Sequence, residues 1–140
     1  MKLTNQQILA LADAITHLDG QHVTQVIEGK AVALFQSYRL AHAARWLLAR
    51  AQGCLRTAID DFNRAKDALI KHHSGGAATI SPAHANFNPF VEDLSALHQQ
   101  PVELSIEQIT LDHLKLAENE AAGHELPIAV LHALTPLIKP

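Results

Sequence analysis

The 140-residue chain is 48% apolar and 18% charged, with a formal net charge of −3. That composition is globular and long enough to bury one core unaided. It speaks against a strong nucleic-acid binder, which carries a basic excess; the one cysteine, Cys54, excludes an internal disulfide; and no apolar run reaches the ~20 residues of a membrane span.

The start, MKLTNQQILALADAI, lacks an apolar signal-peptide core, so a soluble cytoplasmic protein is the expectation. Thr4 and Gln7 make a T-x-x-Q capping box. Ile8, Leu11, Ala12, Ile15 and Leu18 then recur at helical spacing, and Gly20 is a stop. A helix is predicted over 4–19. QHVTQVIEG reads as either a short strand or an extended loop. Glu28-Gly29 has the form of a hairpin turn into KAVALF, but Gly29 is read as preceding a helix.

That helix is expected to run through 30–73, a stretch without proline. Leu40, Ala44, Leu47, Ala51, Cys54, Ala58, Phe62, Ala65 and Leu69 fall on one stripe close to a coiled-coil seam. Phe35, Tyr38, His42, Trp46, Ala49 and Gly53 form a second stripe roughly opposite. Beyond Gly53 that face turns charged, with Arg56, Asp60, Arg64, Asp67 and Lys71. The first half should therefore be buried on two sides and the second on one. About 40 helical residues would span ~60 Å, so the helix either breaks near Gly53 or protrudes.

Lys71, His72 and His73 suit a helix C-terminus, and Ser-Gly-Gly ends it. The stretch 74–88 is read as a flexible connector, with Phe87 and Phe90 anchoring its end. A short helix is predicted over 89–99, with Pro89 at its first position and Phe90, Leu94 and Leu97 on one face. PVELSIEQI alternates like a strand, for which QHVTQVI is the expected mate. Thr110 caps a helix to about Asn119. Pro127 opens a last one, with Ile128, Leu131 and Leu134 inward and Thr135-Pro136 as its end. The fold class is mainly α: a helical hairpin or bundle around one long central helix, with a minor two-stranded β element, in a single domain.

Ten histidines raise the question of metal. His72 and His73 diverge by about 100° on a helix, and His124-Glu125 does not continue into H-E-x-x-H, because Pro127 and Ile128 intervene. Glu120 and His124 with Asp112 or His113 make only a weak candidate. Cys54, within the apolar seam, reads as a small buried hydrophobe. Asp60-Asp61 belongs to a solvated face. Neither a nucleophile motif nor a phosphate loop is present, so no catalytic residue, metal site or cofactor is expected. Arg39, Arg50, Arg64 and Lys71 share a flank, which supports nucleic-acid binding as the alternative function. The i,i+4 pairs Arg56–Asp60, Asp60–Arg64 and Asp67–Lys71 argue against it, since interleaved carboxylates repel phosphate. Phe35, Tyr38 and Trp46, half of the six aromatics, read either as core against the first helix or as a protein-binding patch.

The runs MKLTNQQILALADAI, YRLAHAARWLLARAQGCLRTAIDDFNRAKDALIKHH, VELSIEQITLDHL and ELPIAVLHALTPLI together resemble the layout of small phage- and prophage-encoded helical proteins of unknown function. That resemblance implies a phage setting and a non-enzymatic role, in the host cytoplasm or on the virion, and supplies no catalytic residues. The expected function is protein–protein binding, in virion assembly or against a host protein. The expected binding residues are Phe35, Tyr38, Trp46, Arg56, Arg64, Phe87 and Phe90. Self-association into a homo-oligomer through the Ala-rich seam is also expected.

Overall fold

Thr4 does at the start of the first helix what its spacing from Gln7 predicts. Its hydroxyl accepts from the Gln7 N–H at 3.2 Å, while its own N–H donates to Gln7 Oε1 at 2.9 Å. The reciprocal pair caps helix α1, Asn5–Asp19. The structure is a computed structural model; it describes every residue but Ser37, with backbone alone for 21–23 and 34–36. Mainly helical character and a long central helix are present as expected. Among the described residues there are five α-helices and two two-stranded sheets. The chain forms two compact units, Met1–Leu9 with Gly53–Ser105, and Ala10–Gln52 with Ile106–Pro140.

The long helix α2 runs unbroken over His42–Ser74, 33 residues, or about 50 Å at 1.5 Å per residue. It starts later than its apolar pattern predicts because 30–36 is a strand. β2, Gln21–Ile27, pairs antiparallel with β3, Lys30–Gln36, in a register that closes on Ile27↔Lys30. Glu28 and Gly29 turn the chain at φ 51° and 76°. Two positive-φ residues make the type I′ turn whose twist matches paired strands. The correction is physical: a two-residue loop costs little closure entropy, whereas pairing 21–27 with the strand after Pro101 would have closed a loop of about 75 residues. The strand after Pro101 is short, β4, Pro101–Glu103, and its mate is β1, Lys2–Thr4, with Leu3 opposite Val102.

In the unit containing residues 53–105, Leu55, Ala58 and Phe62 of α2 are buried, as is Phe90 of α3, Phe87–Gln99. Pro89 sits in the first turn of α3, where its missing N–H costs nothing. Asn5 is buried and ties α1 to the end of α3. Its N–H donates to the Gln100 carbonyl at 3.1 Å and its Nδ2 to the Leu97 carbonyl at 2.8 Å. The connector between α2 and α3 is a series of turns held by local bonds. Asn86 Nδ2 donates to the His73 carbonyl at 3.1 Å, and His73 Nε2 lies 2.7 Å from Asp93 Oδ2.

In the other unit, Leu11, Ala14, Ile15 and Leu18 of α1 are buried, together with Ala44, Leu48 and Ala51 of α2. Residues 110–119 do not form one helix. A 3₁₀ turn, Leu111–Leu114, gives way at Lys115, φ 51°, to α4, Leu116–Ala121. The last helix, α5, spans Ile128–Leu134. Leu134 faces inward as predicted, but Ile128 is 85% exposed. One residue past Pro127, it lies at a helix end that points its side chain to solvent. A parallel bridge joins Ile109 to Ile138, and the buried residues Ile109, Leu114, Leu126, Leu134 and Leu137 complete this core.

Two expectations about α2 are overturned. Its buried seam is Ala44, Leu48, Ala51, Leu55, Ala58 and Phe62. Leu48 and Leu55 replace Leu47 and Cys54, so Cys54 is exposed, its Sγ 3.7 Å from the Ser105 carbonyl. Both stripes have helical spacing; the one that buries two leucines in place of one leucine and a cysteine removes more apolar area from water. The second stripe is not buried at all on the helix: His42, Trp46, Ala49 and Gly53 are exposed. Of the predicted Ala-rich seam, Ala44, Ala51, Ala58 and Phe62 are buried within the chain, while Leu40, Leu47, Ala65 and Leu69 are half-buried.

Candidate protein-binding surface

The start of α2 is positioned by one buried side chain, Asn119 of α4, which is 1% exposed. Its Oδ1 accepts from the Arg39 N–H at 2.7 Å. Its Nδ2 donates to the carbonyls of Arg39 and Leu114, each at 2.9 Å, and of Lys115 at 3.1 Å. The amide thus pairs with Arg39 as a strand neighbour would. Next to it, the Ala41 N–H donates to the His113 carbonyl at 3.0 Å.

Tyr38 is locked in the same segment and is only 3% exposed. Its hydroxyl lies 2.9 Å from His17 Nε2, and the His124 ring meets its ring edge-on at 6.4 Å. Burial pushes the phenol above its ordinary pKa, because a tyrosinate would be poorly solvated there. Arg45 Nη2 donates to the Tyr38 carbonyl at 3.1 Å, fixing the first turn of α2 on this segment.

One turn further along, Trp46 is 66% exposed. It points away from the seam, roughly opposite Leu48. Arg45 precedes it and Arg50 lies four residues on, on the same side. Arg50 Nη1 reaches Glu107 at 3.5 Å, a solvent-exposed pair worth at most about 1 kcal/mol. Ala49, three residues from Trp46, forms part of the wall of a cavity of about 100 Å³. Ile15, Leu40, Leu48 and Ala49 make its apolar surface, and Asp19, Arg45 and Gln52 its polar rim.

The predicted binding residues do not form one patch. Tyr38 is interior, while Trp46 stands in solvent. The side chain of Phe35 lies outside the described residues. Arg56 is exposed, and Arg64 is held by Asp61 at 2.6 Å and not by Asp60. Phe87 is half-buried and stacks at 6.2 Å on Phe90, which is buried under it and His73. Those two phenylalanines are therefore the anchor of the connector. Sequence reasoning did not find Asn119, Asp19 or the cavity. The signal for Asn119 was a polar residue at a position the helical pattern treats as the inner end of an element.

Among the described residues no group of three or more His, Cys, Asp or Glu side chains could hold a metal ion. Nor is any helix of the described chain long and apolar enough to cross a membrane. Before Gly53, α2 exposes an indole and two arginines, and Trp46 is not among the residues that line the cavity, three of which are polar. No known protein-family model, no characterised protein and no solved structure matches this chain.

Proposed function

We propose that the protein works by binding another protein through the face of α2 around Trp46. The observation that carries this reading is the exposure of the chain's single tryptophan on a long helix. A large aromatic left in water on an ordered element, flanked by arginines, has the composition of an interface hot spot. The phage-type layout read from the sequence supports a virion component or a host protein as the partner. Nucleic acid is the weaker reading. Of the arginines that would contact it, Arg50 and Arg64 already face carboxylates at 3.5 and 2.6 Å.

Site-specific photo-crosslinking tests the proposal. A benzophenone amino acid replaces Trp46 in one variant and Arg64 in another, and both are expressed in the native host. A discrete protein adduct from position 46, absent from position 64, is expected. No adduct at 46, or the same adducts at both positions, would end the reading.

A further inference from the structure

We infer that the β2–β3 hairpin is a self-association site: the open edge of β3 pairs antiparallel with β3 of a second copy, making one four-stranded sheet from two copies of the chain. This goes beyond the Trp46 reading and does not depend on it. A two-stranded hairpin alone in water is marginal at best, and three or more strands are the usual minimum. Here neither strand has a further mate among the described residues. Residues 24–31 and 33 are exposed, with Val26 at 76% and Ile27 at 47%. The devices that normally guard an open edge are missing as well. The register runs without a bulge from Gln21↔Gln36 to Ile27↔Lys30. Neither strand contains a proline or a carboxylate, and Lys30, beside the turn, is their one lysine or arginine.

The hairpin fixes which backbone groups are free. A two-residue loop closes on a hydrogen-bonded pair, here Ile27 and Lys30, and bonded and non-bonded pairs then alternate along the ladder. Lys30, Val32, Leu34 and Gln36 therefore bond to β2, while the N–H and C=O groups of Ala31, Ala33 and Phe35 turn outward. A two-fold axis through Ala33 sets Ala33 opposite Ala33 and Ala31 opposite Phe35, so these free groups meet and exchange about six backbone hydrogen bonds. In the same register Val32 falls opposite Leu34, and Lys30 opposite Gln36. Apolar positions meet apolar ones, and the two lysines stand at opposite ends of the new ladder, so no like charges face each other. The edge of β2 lacks this self-complementarity. Turned on Thr24, it would set Gln25 opposite Val23, His22 opposite Val26 and Gln21 opposite Ile27, a polar residue against an apolar one each time. The strand that the β3 edge matches is a second β3.

Sedimentation equilibrium of the full chain, from low micromolar to submillimolar concentration, tests this. A reversible monomer–dimer equilibrium is expected. Ala33→Lys sets two like charges across the axis and should weaken the dimer severalfold. Mixing it with Ala33→Glu should restore association as a mixed dimer. Thr24→Lys is the control: Thr24 lies opposite Ala33 within the hairpin but on the β2 edge, and should leave the dimer unchanged. Both positions are exposed, so circular dichroism should match the parent. Amide hydrogen exchange needs no variant. The Ala33 N–H should gain protection as concentration rises, while that of Thr24, which turns outward on the other edge, should not. A strict monomer would leave the edge to another protein's strand and overturns the proposal. So does a dimer that Ala33→Lys leaves intact or that Thr24→Lys weakens equally, and so does protection of both amides or of neither.

Discussion

The two halves of α2 fall in different compact units and carry different outer faces. Residues 42–52 hold two arginines, no carboxylate and an exposed tryptophan. Residues 53–74 hold four lysines and arginines interleaved with three aspartates, and expose no aromatic. The second half has what an ordinary solvated face needs: balanced charge and nothing large and apolar in water. The first half leaves a large aromatic in water, which a covering partner would relieve. Each half buries a side of its own, Ala44, Leu48 and Ala51 in the first and Leu55, Ala58 and Phe62 in the second. The contrast lies wholly on the outer surface, which is where function can vary without disturbing the core.

The sharpest way to break the buried side of the second half is to truncate it. Leu55→Ala removes a fully buried side chain and should cost about 2–5 kcal/mol. Cys54→Ala, one position along and exposed, should change stability by less than about 0.5 kcal/mol. Urea unfolding of the two variants decides which residue faces inward; the reverse order would restore the stripe that runs through Cys54.

That stripe illustrates how far the sequence can be read. Helical periodicity located α1, its capping box, the long helix and α3, because each is an amphipathic pattern with local end signals. It could not choose between Leu47/Cys54 and Leu48/Leu55, which lie 100° apart and both continue the pattern. Nor could it recognise β1: three residues, Lys2–Thr4, carry no period of their own. The hairpin was legible in Glu28-Gly29 but lost to the helix-favouring alanines of KAVALF. The site was legible in part. Trp46 stood out as an aromatic on a helix, but its exposure depended on the same one-residue choice of seam. Asp19 and the cavity depend on tertiary placement and left no mark in the local pattern.

The next effect in size concerns the segment that sets where the first half begins. Asn119→Ala should cost about 2–3 kcal/mol, since it strands the Arg39 N–H and the carbonyls of Arg39 and Leu114. If the clamp positions the Trp46 face, native-state hydrogen exchange in this variant should rise at the start of α2 before it rises in residues 53–74. Uniform exchange along the helix would show that the two halves open as one.

Tyr38→Phe should have a smaller effect, about 1 kcal/mol at neutral pH, by removing the hydrogen bond to His17. Its pH dependence carries more information. Burial raises the folded-state pKa of Tyr38 above the unfolded value near ~10. The folded state therefore holds the phenolic proton more tightly than the unfolded chain does. The resulting stabilisation is present in full below about pH 10 and is lost as pH rises through the raised folded value. Thermal unfolding should show an alkaline decline in the parent that Tyr38→Phe flattens. Tyrosine is unique in the chain, so its near-ultraviolet absorbance follows the same titration. An ordinary midpoint would place the ring in water.

Trp46→Ala should do least to stability and most to function. A side chain two-thirds exposed gives up little burial on truncation, and alanine has the higher helix propensity. The unfolding free energy should move by less than about 0.5 kcal/mol in either direction, with circular dichroism replacing emission as the probe. A core tryptophan would instead cost about 3–5 kcal/mol, so the two placements differ by more than any measurement error. Near-neutral stability with lost partner binding is the pattern of a residue kept for contact and not for folding. A large destabilisation would mean that the outer face of residues 42–52 is covered within the chain, and the contrast between the two halves would disappear with it.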